Sequence, residues 1–259
     1  MKAIYTLFAC VLLLGLLSCS GDDPTDKDTT APSTPHLIAH LGDTGDDPVI
    51  IDNQQVFLND EINGIDAVPD GDWIKIPWKP FIDTDLSHVK VYRYTQTEPS
   101  PVLVGTVPAL DEYYLDQSDL TVRTWYSYFI ELYDASGNFS VSDTVSYAIL
   151  DKCNLYTPSN GDVVSPNNLM LYWNRGDSDT SQFRVLVWTV DDNDNLDLIL
   201  SHNYNLGQEN DPLWIQFPIM TPPLASGTKL RWRVDALDWD DENQKFMGSE
   251  SEERTFFIQ

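Results

Sequence analysis

The chain of 259 residues carries 41 Asp and Glu against 15 Lys and Arg, which gives a formal net charge of −26. Binding to nucleic acid or to anionic lipid relies on clustered basic residues, so this balance excludes both as principal functions. Asp supplies 32 of the acids and Glu only 9, and Asp favours turns where Glu favours helices. With 42% hydrophobic residues, the composition indicates a folded, turn-rich protein with little helix.

The first predicted element is an export signal at 1–18. Lys2 precedes an apolar run at 4–17, which is short for a bilayer span and typical of a secretory signal peptide. The sequence Leu-Leu-Ser-Cys at 16–19 resembles the bacterial lipobox. That resemblance implies cleavage before Cys19 and lipidation of its sulfur. An ordinary secretory signal followed by a chance cysteine is the alternative.

The cysteines are Cys10 within the signal, Cys19 at its end and Cys153. With the signal removed and Cys19 lipidated, Cys153 has no cysteine to pair with, so a disulfide framework is not expected. A lone cysteine directly after an apolar segment is typical of a small buried residue rather than of a nucleophile.

Residues 19–30 are polar, acidic and free of large apolar side chains, a composition typical of a disordered tether. The remainder, 31–259, is long enough for two domains of about 110 residues each. Its apolar residues form short runs with period-two alternation, separated by Pro, Gly, Asn and Asp, and no sustained helical period occurs. This pattern predicts two all-β domains, at 31–150 and 151–259.

The segment 31–150 carries several motifs in a definite order. Trp78 closes one strand, Leu120 and Tyr126 stand six residues apart before another, and a polar run at 134–140 precedes the last strand. This order resembles the bacterial fibronectin type III domain. The resemblance implies an antiparallel β-sandwich with the Trp in its core and a Leu–Tyr corner before the penultimate strand. It also implies that the run at 134–140 forms the turn between the last two strands.

The segment departs from that family at about 42–72, where the usual connection is much shorter. Long loops without secondary structure are uncommon in compact domains. An extra hairpin or a functional flap is therefore one expectation for this insertion, and a decoration without a ligand is the other.

The segment 151–259 repeats part of the same pattern. A strand ends at Trp173, and Leu224 and Leu230 repeat the corner spacing, with Leu230 at the place of the corner Tyr. The repetition predicts a second fibronectin type III-like or immunoglobulin-like sandwich.

Alternation is clearest at 230–234, where apolar residues occupy every second position and two arginines stand between them. Successive side chains of a strand point to opposite faces of the sheet. The pattern therefore predicts that Arg231 and Arg233 face water while their neighbours face a core.

No catalytic or metal-binding spacing occurs among the histidines, which are His36, His40, His88 and His202. His36 and His40 are four residues apart, but they follow Pro35 in a strand context and do not share a helical face. The chain contains no Gly-x-Ser-x-Gly elbow, phosphate-binding glycine loop or dinucleotide fingerprint. Carboxylates are too numerous for any pair to be diagnostic. The sequence therefore favours a protein that is not an enzyme.

An acidic run at 191–197 raises calcium as the one cofactor to consider, because it places oxygen ligands at alternating positions. The candidate ligands are Asp191, Asn193, Asn195 and Asp197. The run does not match an EF-hand, since Leu196 stands where a Gly is needed and no Glu follows at the twelfth position. A solvated turn between strands is the alternative.

Alternation also predicts an aromatic outer face on the first domain. Side chains that alternate with inward-pointing Tyr126 and Val91 on two neighbouring strands must point outward. The outward aromatic residues are Tyr92, Tyr94, Trp125, Phe129 and Tyr133. Exposed aromatic rows bind sugar rings or protein partners. Coverage of these rings by the insertion or by the second domain is the alternative.

Together these features predict a lipid-anchored, non-enzymatic protein of the bacterial cell envelope, at the outer membrane or cell surface. Its expected role is that of an adhesion, scaffold or protein-interaction module, held at the membrane through Cys19 and without a nucleic-acid partner. A glycan-binding accessory lipoprotein that uses the outward aromatic residues is the first alternative. A carbohydrate-active enzyme with an unrecognised site is the second.

Overall fold

The computed structural model describes residues 28–38, 49–51, 54–56, 73–176, 180, 182–206 and 211–259. Every regular element among these residues is a β-strand, as the sequence predicts. None of the described residues belongs to a helix long and apolar enough to cross a membrane. The predicted signal peptide and Cys19 lie outside the described residues.

The first nine strands belong to the first domain. In chain order they are β1 (Val49–Ile51), β2 (Gln54–Val56), β3 (Ile74–Pro77), β4 (Leu86–Thr95), β5 (Val102–Pro108), β6 (Tyr113–Asp116), β7 (Tyr126–Asp134), β8 (Phe139–Val141) and β9 (Val145–Tyr147). One sheet pairs β3 with β6, and Leu37 extends it through an antiparallel bridge to Trp78. The other sheet has the order β5-β4-β7-β8, with β9 also paired to β7.

The core of the first domain lies between these two sheets. Along β7 buried and half-buried residues alternate without exception, so Tyr128 and Ile130 point into the core. Val89 and Val91 of β4 and Trp78 beside β3 meet them there. The inward positions predicted from the alternation are therefore confirmed.

The corner and the turn implied by the family resemblance are both present. The backbone N–H of Thr121 donates to the hydroxyl of Tyr126 over 2.9 Å, which ties the chain before β7 to that strand. In the turn between β7 and β8, the Asp134 carboxylate accepts the backbone N–H groups of Ser136 and Asn138, each at 2.8 Å. Gly137 takes φ +88°, a conformation that strongly favours glycine.

The last part of the predicted tether is held against this turn. The side-chain amide of Asn138 donates to the backbone carbonyls of Asp28 and Thr30, at 3.0 and 3.2 Å. Residues 28–30 thus belong to the edge of the first domain rather than to a disordered tether, because a side chain of the folded part satisfies their carbonyls. Residues 19–27 lie outside the described part of the chain.

The predicted insertion contains a hairpin. The backbone of β1 pairs antiparallel with that of β2, with Val49 opposite Val56 and Ile51 opposite Gln54. The remainder of the 42–72 segment lies outside the described residues.

The second domain contains the other nine strands. They are β10 (Asn154–Thr157), β11 (Val163–Val164), β12 (Met170–Asn174), β13 (Gln182–Val190), β14 (Leu196–Asn205), β15 (Leu213–Gln216), β16 (Lys229–Asp240), β17 (Lys245–Glu250) and β18 (Arg254–Ile258). One sheet has the order β10-β12-β15, and the other has the order β11-β18-β16-β13-β14, with β17 also paired to β16.

The core of the second domain is built around Trp173 and Trp232, with Phe183 and Phe256 packed beside them. Cys153 is buried in the same cluster, and burial raises the pKa of its thiol well above the usual range. A thiol held protonated in an apolar core is a weak nucleophile, which agrees with the structural role predicted for it.

The two domains share one topology. The pairing β3–β6 of the first domain corresponds to β12–β15 of the second, and the order β5-β4-β7 corresponds to β14-β13-β16. In each domain a smaller sheet that contains the first of these pairs faces a larger sheet that contains the second set of strands. Both domains are fibronectin type III-like antiparallel β-sandwiches.

One prediction about the second domain is wrong. Arg233 does not face water but is buried together with Asp235 and Glu250 on the face of β16 opposite the core. Its Nε lies 2.9 Å from Asp235 Oδ1, and its Nη2 lies 2.6 Å from Glu250 Oε1. Burial alone would lower the Arg233 pKa, but the two carboxylates outweigh it and raise the pKa above its ordinary value. Arg231 is partly exposed beside Glu253.

Candidate functional site

The outer surface of the β4–β7 sheet carries a continuous group of aromatic side chains. We call it the aromatic face and define it by six residues: His88, Tyr92, Tyr94, Phe129, Tyr133 and Phe139. Cross-strand register brings them together, because His88 stands opposite Tyr133 and Tyr92 opposite Phe129. Phe139 of β8 is in turn opposite Tyr133. Four of the five predicted ligand-binding aromatics therefore share one surface.

Phe129 is the centre of the first ring group on this face. Its ring stacks on that of Tyr92 with centroids 5.1 Å apart and an angle of 8° between the planes. Tyr94 meets the same ring at 6.5 Å and 53°. Such offset aromatic pairs across neighbouring strands stabilise a sheet and hold the rings in fixed positions.

Tyr133 is the centre of the second ring group. The His88 ring stacks on it at 4.7 Å and 6°, and the Phe139 ring at 5.1 Å and 26°. The ammonium of Lys90 lies 4.3 Å from the centroid of the same Tyr133 ring, within the range of a cation–π interaction.

Glu131 connects the two ring groups. Its Oε2 accepts the hydroxyl of Tyr92 at 2.9 Å and that of Tyr133 at 2.8 Å. Partial burial raises the pKa of both tyrosines above the ordinary value, and the bond to the Glu131 carboxylate raises it further. These two side chains are thus preorganised, since the hydroxyls of Tyr92 and Tyr133 are already bound within the face.

The aromatic face is close to neutral in a strongly acidic protein. Among the outward positions of β4 and β7, Glu131 is the single carboxylate, and Lys90 stands directly opposite it. Exposed apolar residues continue the surface at either side, with Leu103 opposite Tyr92 and Val141 opposite Glu131. A surface of stacked aromatic rings with little net charge is the kind of surface that proteins use for binding.

Trp125 is the one predicted face residue that lies elsewhere. It directly precedes β7 and packs against the core cluster of the second domain. Its indole Nε1–H donates to Asp240 Oδ2 at 2.6 Å, and Lys245 Nζ lies 5.8 Å from its ring centroid. Trp125 therefore joins the two sandwiches.

Further bonds cross the same joint. The Arg123 guanidinium lies 2.7 Å from Asp238 Oδ2. The backbone N–H of Leu150 donates to the carbonyl of Gly248 at 3.1 Å, and the Gly248 N–H donates to the carbonyl of Ala148 at 3.2 Å. Backbone hydrogen bonds thus tie the segment that connects the domains to the second domain. They restrict the orientation of the second domain relative to the aromatic face.

The four candidate calcium ligands lie in the turn between β13 and β14 and at the start of β14. The Asp191 carboxylate accepts the backbone N–H groups of Asn193 and Asn195, each at 2.8 Å, and the side-chain amide of Asn195 at 2.8 Å. These bonds from Asn195 and Asn193 lower the pKa of Asp191. The arrangement parallels that of Asp134 and accounts for the turn without an ion. Calcium binding stays a prediction, which isothermal titration of the mature chain tests.

Sequence reasoning missed part of the aromatic face. His88 and Lys90 alternate with buried Val89 and Val91, so the period-two pattern was sufficient to place both on the outer surface. Glu131 lies between Phe129 and Tyr133 on β7, so the same pattern places it on that surface. Phe139 could be added only once the pairing of β7 with β8 is known.

Comparisons with known proteins add little to this geometry. No family model matches the sequence, and no curated protein matches it. Among solved structures, the chain is similar to that of the FN1–FN3 domains of chicken CNTN1, at 12% sequence identity and a TM-score of 0.29. The likeness covers 88% of this chain and 66% of that one, so this chain spans slightly less than two thirds of that structure. Strand order and pairing alone define the fold of both domains.

Proposed function

We propose that this protein is a protein-interaction module that binds a partner through the aromatic face of its first sandwich. The observation that carries the proposal is the group of stacked rings held by Glu131 on an outer sheet surface. Rigid β-sandwiches commonly serve as scaffolds that present a binding surface, although the fold alone does not determine function.

The composition of the face supports a protein partner. Protein interfaces are enriched in Tyr and Phe, and the outward rows of β4 and β7 match that enrichment. The rings lose little conformational entropy on binding, because stacking already holds Tyr92 and Phe129 in place. Low net charge also removes the repulsion that the rest of this acidic surface would exert on an acidic partner.

A protein partner fits the hydrogen-bonding pattern better than a glycan does. Sugar recognition combines ring stacking with polar groups that are free to bond the sugar hydroxyls. On this face the hydroxyls of Tyr92 and Tyr133 are already bound to Glu131. Glycan binding nevertheless remains a separable outcome of the experiment below.

The setting we propose is the bacterial cell envelope, with the chain anchored by lipid on Cys19 at the outer membrane or cell surface. The signal-like segment at 1–18 and the lipobox resemblance at 16–19 support it. Replacing Cys19 with Ala should abolish incorporation of labelled fatty acid and release the protein from the membrane fraction. Unchanged labelling would contradict the anchor without affecting the proposed binding surface.

Capture of partners from a detergent extract of the native envelope tests the binding surface. Three immobilised proteins are compared: the mature wild-type chain, Phe129→Ser on the aromatic face, and Tyr113→Ser on the opposite sheet. We expect the wild type and Tyr113→Ser to retain the same protein and Phe129→Ser to lose it, with melting temperatures checked for all three. Retention of that protein by Phe129→Ser would contradict the proposal, and binding to a glycan array alone would favour the glycan alternative.

A further inference from the structure

A cavity of about 370 Å³ opens at the end of the first sandwich, away from the second domain. It lies where the loop at 79–85, which leads into β4, meets the loop at 109–112, which follows β5. The rings of Trp78 and Phe81 line its wall, and their planes lie 13° apart with centroids at 6.2 Å. Leu86 adds a further apolar lining.

The charged side chains that line the cavity are all acidic. Asp83, Asp111 and Glu112 line it, and no basic residue is among the residues that do so. Ser33 bonds the Asp83 carboxylate through its N–H and its hydroxyl, whereas Asp111 and Glu112 are exposed at the rim. Exposed carboxylates beside aromatic rings attract a cation both by charge and through the ring faces.

The lining of the cavity also includes an exposed aliphatic side chain. Leu110 lines the cavity next to Asp111 and is 94% exposed. A large aliphatic side chain in that position favours a ligand that brings its own apolar surface. The cavity therefore combines the two features that suit a lysine or arginine side chain, whose aliphatic stem is apolar and whose head is charged.

We propose that this cavity binds a lysine or arginine side chain of a partner protein, with the aliphatic stem against Leu110 and the aromatic wall and the cationic head at the Asp111–Glu112 rim. The site is separate from the aromatic face, so the proposal stands or fails independently of the proposed function. The charge of the cavity decides the choice of occupant, because three carboxylates line it, two of them exposed at the rim, and the chain as a whole carries a net charge of −26.

Trp78 supplies a local reporter for the test. Its indole Nε1–H donates to the backbone carbonyl of Asp111 over 2.9 Å, so a ligand at the rim changes the environment of that proton. The indole signal of Trp78 in a nitrogen-15 correlation spectrum of the mature chain is followed during titration with a blocked Ala-Lys-Ala peptide. The matched neutral peptide carries norleucine in place of lysine.

We expect the lysine peptide to move the Trp78 signal with saturation in the millimolar range and the norleucine peptide to leave it in place. The double variant Asp111→Asn/Glu112→Gln should bind about tenfold more weakly, as loss of the rim charge implies. The matched double variant Glu98→Gln/Asp119→Asn removes the same charge from exposed positions outside the cavity and should bind as the wild type does.

Three results would overturn the proposal. The first is an equal shift with norleucine, and the second is no shift with lysine at millimolar peptide. The third is an equal loss in both double variants, because that would mean that net charge rather than the cavity attracts the peptide.

Discussion

The hydroxyls of Tyr92 and Tyr133 donate to the same atom, Oε2 of Glu131, from two neighbouring strands of the first sandwich. Tyr92 also stacks on Phe129 in the first ring group, and Tyr133 stacks on His88 in the second. One carboxylate therefore aligns both groups. This arrangement explains how an outer sheet surface rich in aromatics keeps a defined shape without being covered.

Glu131→Gln should lower the pKa of Tyr92 and Tyr133 toward the ordinary tyrosine value, because burial still acts on them but the anionic acceptor is lost. In the wild type a raised pKa stabilises the fold fully below about pH 10, and this contribution is lost as pH rises through the folded-state value. The variant should therefore lose less stability in that alkaline range. Ultraviolet titration of tyrosinate, with denaturant unfolding at several pH values, measures both effects. Superimposable tyrosinate curves would contradict the shared bond.

Trp125→Ala should destabilise the protein by about 1–3 kcal/mol, since it removes a partly buried side chain that packs on the second core and bonds Asp240. Trp214→Ala is the matched control, because that indole is exposed on the outer side of β15. Its removal should change the free energy of unfolding little. Denaturant unfolding compares the two. Equal stability of both variants would show that Trp125 does not hold the joint.

Asp240 provides a pH test of the same joint. Bonds from the Asn243 side chain and from Trp125 lower its pKa to about 2. A lowered pKa contributes stability above the ordinary aspartate value near 4, and that contribution disappears as pH falls toward 2. The stability difference between the wild type and Asp240→Asn should therefore shrink between about pH 4 and pH 2. A difference that stays constant across this range would exclude an ionised Asp240 at the joint.

Arg233→Met should destabilise the second domain by about 3–5 kcal/mol, because it leaves Asp235 and Glu250 buried without their cation. Arg231→Met is the internal control on the same strand. The Arg231 guanidinium lies 3.3 Å from the carboxylate of Glu253, and both side chains are partly exposed. Removing the arginine should therefore lower the free energy of unfolding by less than about 1 kcal/mol. The prediction fails if urea unfolding yields equal losses for the two variants.

Local pattern was sufficient to predict much of this architecture. The alternation through Tyr126, Tyr128 and Ile130 places them in the core, because a strand offers only two faces. The family resemblance carried in part by Leu120 and Tyr126 implies a corner, and the bond from Thr121 confirms it. These inferences succeeded because each depends on neighbours close in the chain.

Features that depend on distant residues could not be predicted in this way. Period two places Trp125 outside the first core, but it does not reveal that the second domain brings Asp240 to its indole. The same rule places Arg233 on the outer face of β16 without indicating that Asp235 and Glu250 are buried beside it. Alternation assigns a side chain to a face, and only tertiary contacts decide whether that face meets water.

Site-specific photocrosslinking in the native envelope tests the central claim, binding through the aromatic face, most directly. A photoreactive residue replaces Val141, which is 45% exposed beside Glu131, or Tyr113, which is 46% exposed on the opposite sheet. We predict that position 141 crosslinks to a discrete protein and that position 113 does not. Absence of a crosslink at 141, or the same product from both positions, would contradict the account.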